Sequence, residues 1–179
     1  MNKAILGQTP TIEEDFEKVF KEQFPPIYNY IYYHIHNATD AEDLTADVFV
    51  RAYKYWGSYC PEKGNRSAWL GGIARNIVRT YFQKNAHKPR TIELSELICA
   101  DAETEGDYMR KEELRQIFAQ IDALPEHKRE IITMKYLLRL TNRDIARIMD
   151  MSESNVGVAL HRIIKSIQKN LKNSNDWGY

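Results

Sequence analysis

The sequence has little cysteine and no long uncharged apolar segment, and both shortages narrow the possible classes of protein. Its two cysteines, Cys60 and Cys99, lie in different segments without a CxxC or Cys/His pattern. We therefore expect free thiols, and neither a disulfide nor a metal site. No uncharged run approaches the roughly 20 apolar residues of a membrane span, and the acids at residues 13–15 do not fit a signal peptide. We expect a cytoplasmic protein without stable membrane insertion.

Motifs for catalysis and for phosphate binding are also missing. The sequence contains no GxxxxGK[ST] loop. His34 and His36 are two residues apart, so on a helix they would point to different sides and make poor joint ligands. Acid pairs such as Asp43 with Asp47 stand near expected helix starts, where the helix dipole accounts for them. The sequence thus predicts no enzyme, no cofactor and no metal.

The formal net charge of the whole chain is zero, because 25 Lys plus Arg balance 25 Asp plus Glu. The charges are nevertheless segregated, with a net −7 over residues 13–50, +8 over 51–90, −5 over 91–121 and +4 over 122–172. Two basic segments separated by an acidic one indicate two places that could meet a polyanion. On charge alone, solvated helix faces remain the alternative.

What the sequence does have is helical periodicity almost throughout, without alternation over the length of a strand. We expect a first helix that starts at a capping box on Thr11 and is interrupted or restarted at Pro25 and Pro26. A second helix should start at a capping box over residues 39–42, and a third should cover residues 66–83.

Breaks in the periodicity divide the chain into parts. Two glycines and a proline predict a loop over residues 57–65. An acidic, aperiodic stretch over residues 89–106 predicts a flexible linker, which separates a domain over residues 1–88 from a second over residues 107–179. The predicted fold is all-α, with two small helical domains.

Between residues 141 and 169 the spacing is that of a helix-turn-helix, in which Thr141 and Ser152 can cap the two helices. The second helix of such a motif lies in the major groove, with cations near phosphates. An ordinary helical hairpin is the alternative. The candidate DNA-binding residues of this motif are Thr141, Arg143, Glu153, Ser154, Asn155, Gly157, His161, Arg162 and Lys165.

Three blocks in this order resemble the extracytoplasmic-function (ECF) sigma factors, a compact two-domain group of the sigma-70 family of bacterial RNA polymerase sigma factors. They are DAEDLTADVFVRAYKYW at 40–56, SAWLGGIARNIVRTYF at 67–82, and LPEHKREIITMKY with the helix-turn-helix behind it at 124–167. The resemblance covers residues 16–171 and implies a specificity subunit that binds core RNA polymerase and promoter DNA. An anti-sigma factor is a further implied partner.

The resemblance also implies roles for particular residues. The block at 40–56 would dock on the polymerase, and the loop with the third helix would bind the opened −10 element, leaving the −35 element to the helix-turn-helix. The docking residues would be Asp43, Asp47, Phe49 and Arg51, and the −10 residues Asn65, Arg66, Trp69, Arg75, Asn76 and Arg79. Two alternatives stay open: Trp69 as a core residue, and Arg75 with Arg79 as salt-bridged surface.

The sequence departs from the family pattern at a few positions. Members often have Asp where this chain has Thr80, Gly where it has Asp150, and Lys or another polar residue where it has Gly157 and Ala159. Base reading would then fall mainly on Glu153, Ser154, Asn155, His161 and Arg162. The alternative function is a helix-turn-helix regulator that never docks on core polymerase.

Overall fold

The computed structural model describes residues 12–85 and 105–175. Those residues form seven α-helices and two single-turn 3-10 helices and contain no strand, which confirms the all-α prediction. The α-helices are α1 (Ile12–Ile35), α2 (Ala38–Lys54), α3 (Arg66–Lys84), α4 (Glu105–Asp122), α5 (Glu126–Tyr136), α6 (Asn142–Met149) and α7 (Glu153–Asn175), and the 3-10 helices are Trp56–Ser58 and Pro61–Lys63.

The N-terminal unit, residues 12–85, consists of α1, α2 and α3 packed against one another. Its buried side chains include Ile31 of α1, Val48 of α2 and Leu70 of α3, none of which exposes any surface. These residues lie on the apolar stripes of their helices, so burial of the stripes holds the unit together.

The C-terminal unit, residues 105–175, packs α4, α5 and α6 around α7. The helix-turn-helix prediction is confirmed for α6 and α7. The Thr141 hydroxyl accepts a hydrogen bond from the backbone N–H of Asp144 at 3.1 Å, and the Ser152 hydroxyl accepts one from the N–H of Asn155 at 3.1 Å. Asp150, at the end of α6, takes the left-handed conformation with φ of 54°, which glycine adopts more readily.

The prediction that Pro25 and Pro26 interrupt the first helix was wrong. Both prolines lie inside α1, which runs without a break. Each proline removes one backbone donor, but Val19 and Ile27 on either side are buried against the rest of the unit. Tertiary packing therefore keeps the segment helical despite the lost hydrogen bonds.

Three smaller expectations, one about a helix cap and two about buried tyrosines, were also wrong. Asn37, and not Thr39, caps α2, since its side-chain oxygen accepts a hydrogen bond from the N–H of Asp40 at 2.9 Å. The helical spacing of apolar residues predicts that Tyr55 and Tyr136 face inward, but each is more than half exposed. The expected capping box at Thr11 lies outside the described residues.

Most of the predicted linker, residues 89–104, also lies outside the described residues, so the division into domains stays a prediction. The two units nevertheless contact each other, mainly through α3 and α6. Among the residues that the structure describes, no helix is long and apolar enough to cross a membrane.

Candidate nucleic-acid interface

The first candidate surface is formed by residues 57–65 and the beginning of α3. Asn65 caps α3, because its side-chain oxygen accepts a hydrogen bond from the N–H of Ala68 at 2.7 Å. Arg66 donates to both carboxylate oxygens of Asp15, at 2.8 and 2.5 Å, and its guanidinium lies 5.4 Å from the Trp56 ring centroid. These bonds fix the orientation of the loop relative to α1 and α3.

A cavity of about 410 Å³ opens between this loop, α3 and α6. Its wall combines the aromatic rings of Tyr59 and Trp69 with the polar side chain of Asn76. Trp69 is half-buried and packs against Trp56 and Tyr59, with ring centroids 6.0 and 5.6 Å apart. Trp69 therefore belongs to the packed interior and also lines the cavity, which offers an apolar ring surface beside an amide group.

The cationic residues of α3 differ in their surroundings. Arg79 and Asn76 are exposed. Arg75 instead forms a two-pronged ion pair with Glu130 of α5, with both N···O distances 3.1 Å, and donates to the backbone oxygen of Ile148 at 3.3 Å. For Arg75, the sequence left open either a DNA-binding role or a salt bridge. The structure shows the salt bridge.

The helix-turn-helix presents the second candidate surface. Eight of its nine predicted residues are exposed and Gly157 is half-buried; the exposed ones are Thr141, Arg143, Glu153, Ser154, Asn155, His161, Arg162 and Lys165. A β-carbon on Gly157 would lie 3.7 Å from the side-chain nitrogen of Asn142, an ordinary contact distance. The geometry thus leaves the N-terminal part of α7 accessible to a groove of duplex DNA.

A third surface lies on α2, where Asp43, Asp47 and Arg51 are exposed at four-residue steps along one face. Phe49 does not belong to that surface, because it is only 4% exposed and packs against Phe20 with ring centroids 4.7 Å apart. Its role is to support α2 from inside.

Sequence reasoning missed two groups of residues. Val50 and Tyr53 are 65% and 53% exposed beside the acids of α2 and extend that surface with apolar area. Both residues lie outside the apolar stripe of α2. An apolar residue at such a position is expected to be exposed, and this was the sequence signal that could have identified them. Glu130 and Asp144, which contact Arg75 and Asn65, carry no local signal, since their partners are 55 and 79 residues away.

The surroundings of two tyrosines raise the pKa of their hydroxyls. Burial, together with the hydrogen bond that the Tyr81 hydroxyl donates to Asp40 at 2.6 Å, raises the pKa of Tyr81 to about 12. Burial also raises the pKa of Tyr30, which lies near Glu130. The Tyr81 bond joins α3 to α2, so it links the −10 candidate surface to the docking candidate surface.

No group of three or more His, Cys, Asp or Glu able to hold a metal ion occurs within residues 12–85 and 105–175. Cys60 is a free thiol, as expected, whereas Cys99 lies outside those ranges.

Two family models match the chain: Sigma-70 region 2 over residues 19–88, and Sigma-70, region 4 over residues 114–167. The first match contains α2, α3 and the side of the cavity that the loop and α3 form, and the second contains α5, α6 and most of α7. Each candidate surface therefore lies within a region that sigma factors share.

Known relatives agree with these matches. The chain is 30% identical over 139 residues to the ECF RNA polymerase sigma-E factor of Escherichia coli, covering 71% of this chain and 70% of that protein. It is 26% identical over 157 residues to the ECF RNA polymerase sigma factor BldN of Streptomyces coelicolor, covering 86% of this chain but 59% of BldN.

A solved structure shares the fold. The sigma factor RpoE of Bartonella quintana, crystallised with the anti-sigma factor NepR, matches with a TM-score of 0.69 and 18% identity, over 88% of this chain and 97% of that chain. That likeness concerns the fold. The two region matches and the 30% identity to the sigma-E factor show that the chain belongs to the ECF sigma factors of the sigma-70 family and is an alternative sigma factor of promoter-specific transcription.

Proposed function

We propose that this chain binds core RNA polymerase and directs it to promoters by capturing an unpaired base of the −10 element on the loop and α3 side of the cavity that these elements form with α6. The observation that carries this proposal is the cavity itself, in which Tyr59 and Trp69 offer apolar ring surface next to the amide of Asn76. Exposed Arg79 lies one turn further along α3 and would attract the strand's phosphates. Asn65 and Arg66 fix the loop that forms one side of this cavity.

For the −35 element, the first turns of α7 would enter the major groove, and the cations behind them would contact phosphates. Glu153, Ser154 and Asn155 are exposed at the beginning of α7, and Arg162 and Lys165 are exposed further along it. The residues at the beginning of α7 would contact bases and supply specificity. The two cations further along would contact phosphates and supply affinity.

The polymerase would bind the exposed face of α2. Asp43, Asp47 and Arg51 supply charges of both signs, and Val50 and Tyr53 supply exposed apolar area beside them. Such a mixture of an apolar centre and a charged rim is typical of protein interfaces. Since polymerase and promoter are the proposed partners, we place the chain in the cytoplasm.

The proposed role is not catalytic, because RNA synthesis would belong to the polymerase. Residues 89–106 would serve as the linker that lets the domains over residues 1–88 and 107–179 reach two promoter elements. An anti-sigma factor is a further proposed partner, since the related RpoE was crystallised with one.

Run-off transcription from a random promoter library, with bacterial core polymerase present and this chain present or absent, tests the proposal. We expect initiation at a defined subset of promoters only when the chain is added. Loss of initiation with Asn76→Ala, but not with the exposed control Gln83→Ala on the same helix, would locate the −10 contact. Failure of the chain to co-purify with core polymerase would favour the regulator that acts without docking.

The −35 contact has a separate test in the salt dependence of promoter binding by the holoenzyme. Each phosphate contact contributes about −0.9 to the slope of log K against log salt concentration. Replacing Arg162 and Lys165 by Ala should therefore reduce the slope by about 1.8. Lys172, exposed near the end of α7, is the control position. An unchanged slope in the double variant would exclude phosphate contacts by these residues.

A further inference from the structure

We infer that Val158 of α7 contacts the C5-methyl group of a thymine in the major groove, and that this contact makes the chain prefer a thymine at one base pair of the −35 element. Val158 is not among the residues that the sequence predicted for this element, all of which apart from Gly157 are polar. The inference rests on the proposed function, because it assumes that the first turns of α7 enter the groove.

Val158 lies in the middle of the exposed face of α7. The buried residues of this helix are Val156, Leu160, Ile163 and Ile167. At about 100° per residue, the side chain of Val158 points about 160° away from those of Val156 and Leu160. It is 46% exposed and does not pack against the hydrophobic core. Because the amphipathic pattern of a surface helix places polar residues on this side, packing within the protein does not account for a valine here.

Polar side chains surround Val158 on the exposed face. Four exposed residues flank it at three- and four-residue steps: Ser154, Asn155, His161 and Arg162. Single exposed apolar residues are common on protein surfaces and carry no meaning by themselves. The position of Val158 is informative, since it places an apolar group at the centre of the residues that the proposed function sets against DNA.

The residues next to Val158 along the chain are small. Gly157 has no side chain, Ala159 has a single side-chain carbon, and both are half-buried. The methyl groups of a valine extend only a short distance from the backbone, so they reach a base edge only if the helix lies deep in the groove. Long side chains on either side would hold α7 further out. The two departures from the family pattern at Gly157 and Ala159 therefore fit a contact made by Val158.

Thymine is the base that an apolar side chain can recognise in the major groove. Its C5-methyl group is the apolar group that the base edges present there, whereas the other groups are hydrogen-bond donors and acceptors. A valine placed against a donor or an acceptor would remove water from that group without supplying a hydrogen bond, which weakens binding. Val158 would therefore favour a thymine and also disfavour a base whose polar edge it covers.

The test uses holoenzyme formed from the full chain and core polymerase. Templates that give run-off product from a promoter library are sequenced, and one of these promoters is resynthesised with deoxyuridine in place of each −35 thymine in turn, on both strands. Uracil pairs as thymine does and lacks only the C5-methyl group. Gel-shift titration at one fixed salt concentration measures the affinity of the holoenzyme. We expect one position at which uracil weakens binding about fourfold, the effect of removing one methyl-sized group from a buried contact.

Substitutions on α7 assign the effect to one side chain. Val158→Ser removes both methyl groups and should abolish the uracil effect at that position, whereas Val158→Ile keeps an apolar side chain and should preserve it. Ser166→Ala, at an exposed position about two turns further along α7, should leave the fourfold effect unchanged.

The outcomes separate this inference from the proposed function. If no −35 thymine shows a uracil effect, or if the effect is as large in Val158→Ser as in the wild type, the inference is overturned. Run-off initiation, and a salt slope that depends on Arg162 and Lys165, would in that case continue to support the −35 role of α7. If the chain gives no run-off product with core polymerase, the proposed function fails and the inference fails with it.

Discussion

Among individual side chains, Tyr81 offers a clear prediction, because its hydroxyl ties α3 to Asp40 of α2. A hydrogen bond to a carboxylate in a partly exposed setting should contribute about 1 kcal/mol at neutral pH. The pKa of Tyr81 is raised to about 12, so this stability is fully present below the unfolded pKa near 10 and is lost as pH rises through 12.

Tyr81→Phe should therefore lower the free energy of unfolding by about 1 kcal/mol at pH 7, and the difference from wild type should shrink between pH 10 and 12. Urea denaturation at several pH values measures it. Tyr136→Phe, at an exposed position, should change stability little at any pH. A difference that grows above pH 10 would contradict the assigned bond.

Asp150 gives a second residue-scale prediction, because it holds a left-handed conformation and a negative charge at the C-terminal end of α6. Glycine adopts that conformation without steric cost, and removing the charge relieves an unfavourable interaction with the helix dipole. Asp150→Gly should raise the free energy of unfolding by up to about 1 kcal/mol. Asp150→Ala should lower it, and an Ala variant more stable than the Gly variant would refute the argument.

Capping residues show how far local sequence determines structure. Thr141 and Ser152 were predicted correctly, because each is the polar residue just before a strongly amphipathic helix. Asn37 was missed, because Thr39 two residues later also heads a capping-box pattern and both side chains can cap. Only the backbone conformation, extended at Asn37, decides between them.

Among the helices, α7 carries the sharpest prediction, since Gly157 lies in its second turn. Alanine should stabilise the helix by up to about 1 kcal/mol, and its β-carbon would fit at 3.7 Å from Asn142. If the glycine serves close approach to DNA, Gly157→Ala should raise the melting temperature and weaken −35 binding by the holoenzyme. Thermal unfolding and promoter affinity should be measured on the same variant. A higher melting temperature together with tighter promoter binding would refute a role of Gly157 in close approach to DNA.

The first helix shows where element prediction fails. Two adjacent prolines favour a break on local grounds, because each removes a donor and crowds the preceding turn. The segment stays helical since Ile27, Tyr30 and Ile31 beyond the prolines and Val19 before them are all buried. Packing against α2 and α3 therefore outweighed the local preference for a break. This packing could not be predicted from the single sequence.

For the whole molecule, we predict weak promoter binding by the isolated chain and tight binding only within the holoenzyme. The net charge is zero, and the described structure holds α6 against α3. Gel-shift titrations with and without core polymerase measure the difference. Comparable nanomolar, sequence-specific binding by the chain alone would contradict the prediction.

The sequence predicted the helices, the helix-turn-helix and the exposure of most candidate DNA-binding residues, because these depend on periodicity within one helix. It did not predict how the two units meet. The partner of Arg75 is 55 residues away, and the partner of Tyr33, Asp122, is 89 residues away across the predicted linker. Such pairings depend on how the helices are arranged in space. Charge and spacing along the chain do not show which residues of two distant helices meet.

The rings of Trp56 and Trp69 are 6.0 Å apart, and Trp69 lines the cavity, which has a practical consequence. Only one other tryptophan, Trp177, occurs in the sequence. The intrinsic tryptophan fluorescence of the protein should therefore come largely from Trp56 and Trp69. Replacing Trp177 by Phe would leave a built-in optical probe, with which stopped-flow mixing could time the arrival of a nucleotide strand or of the polymerase.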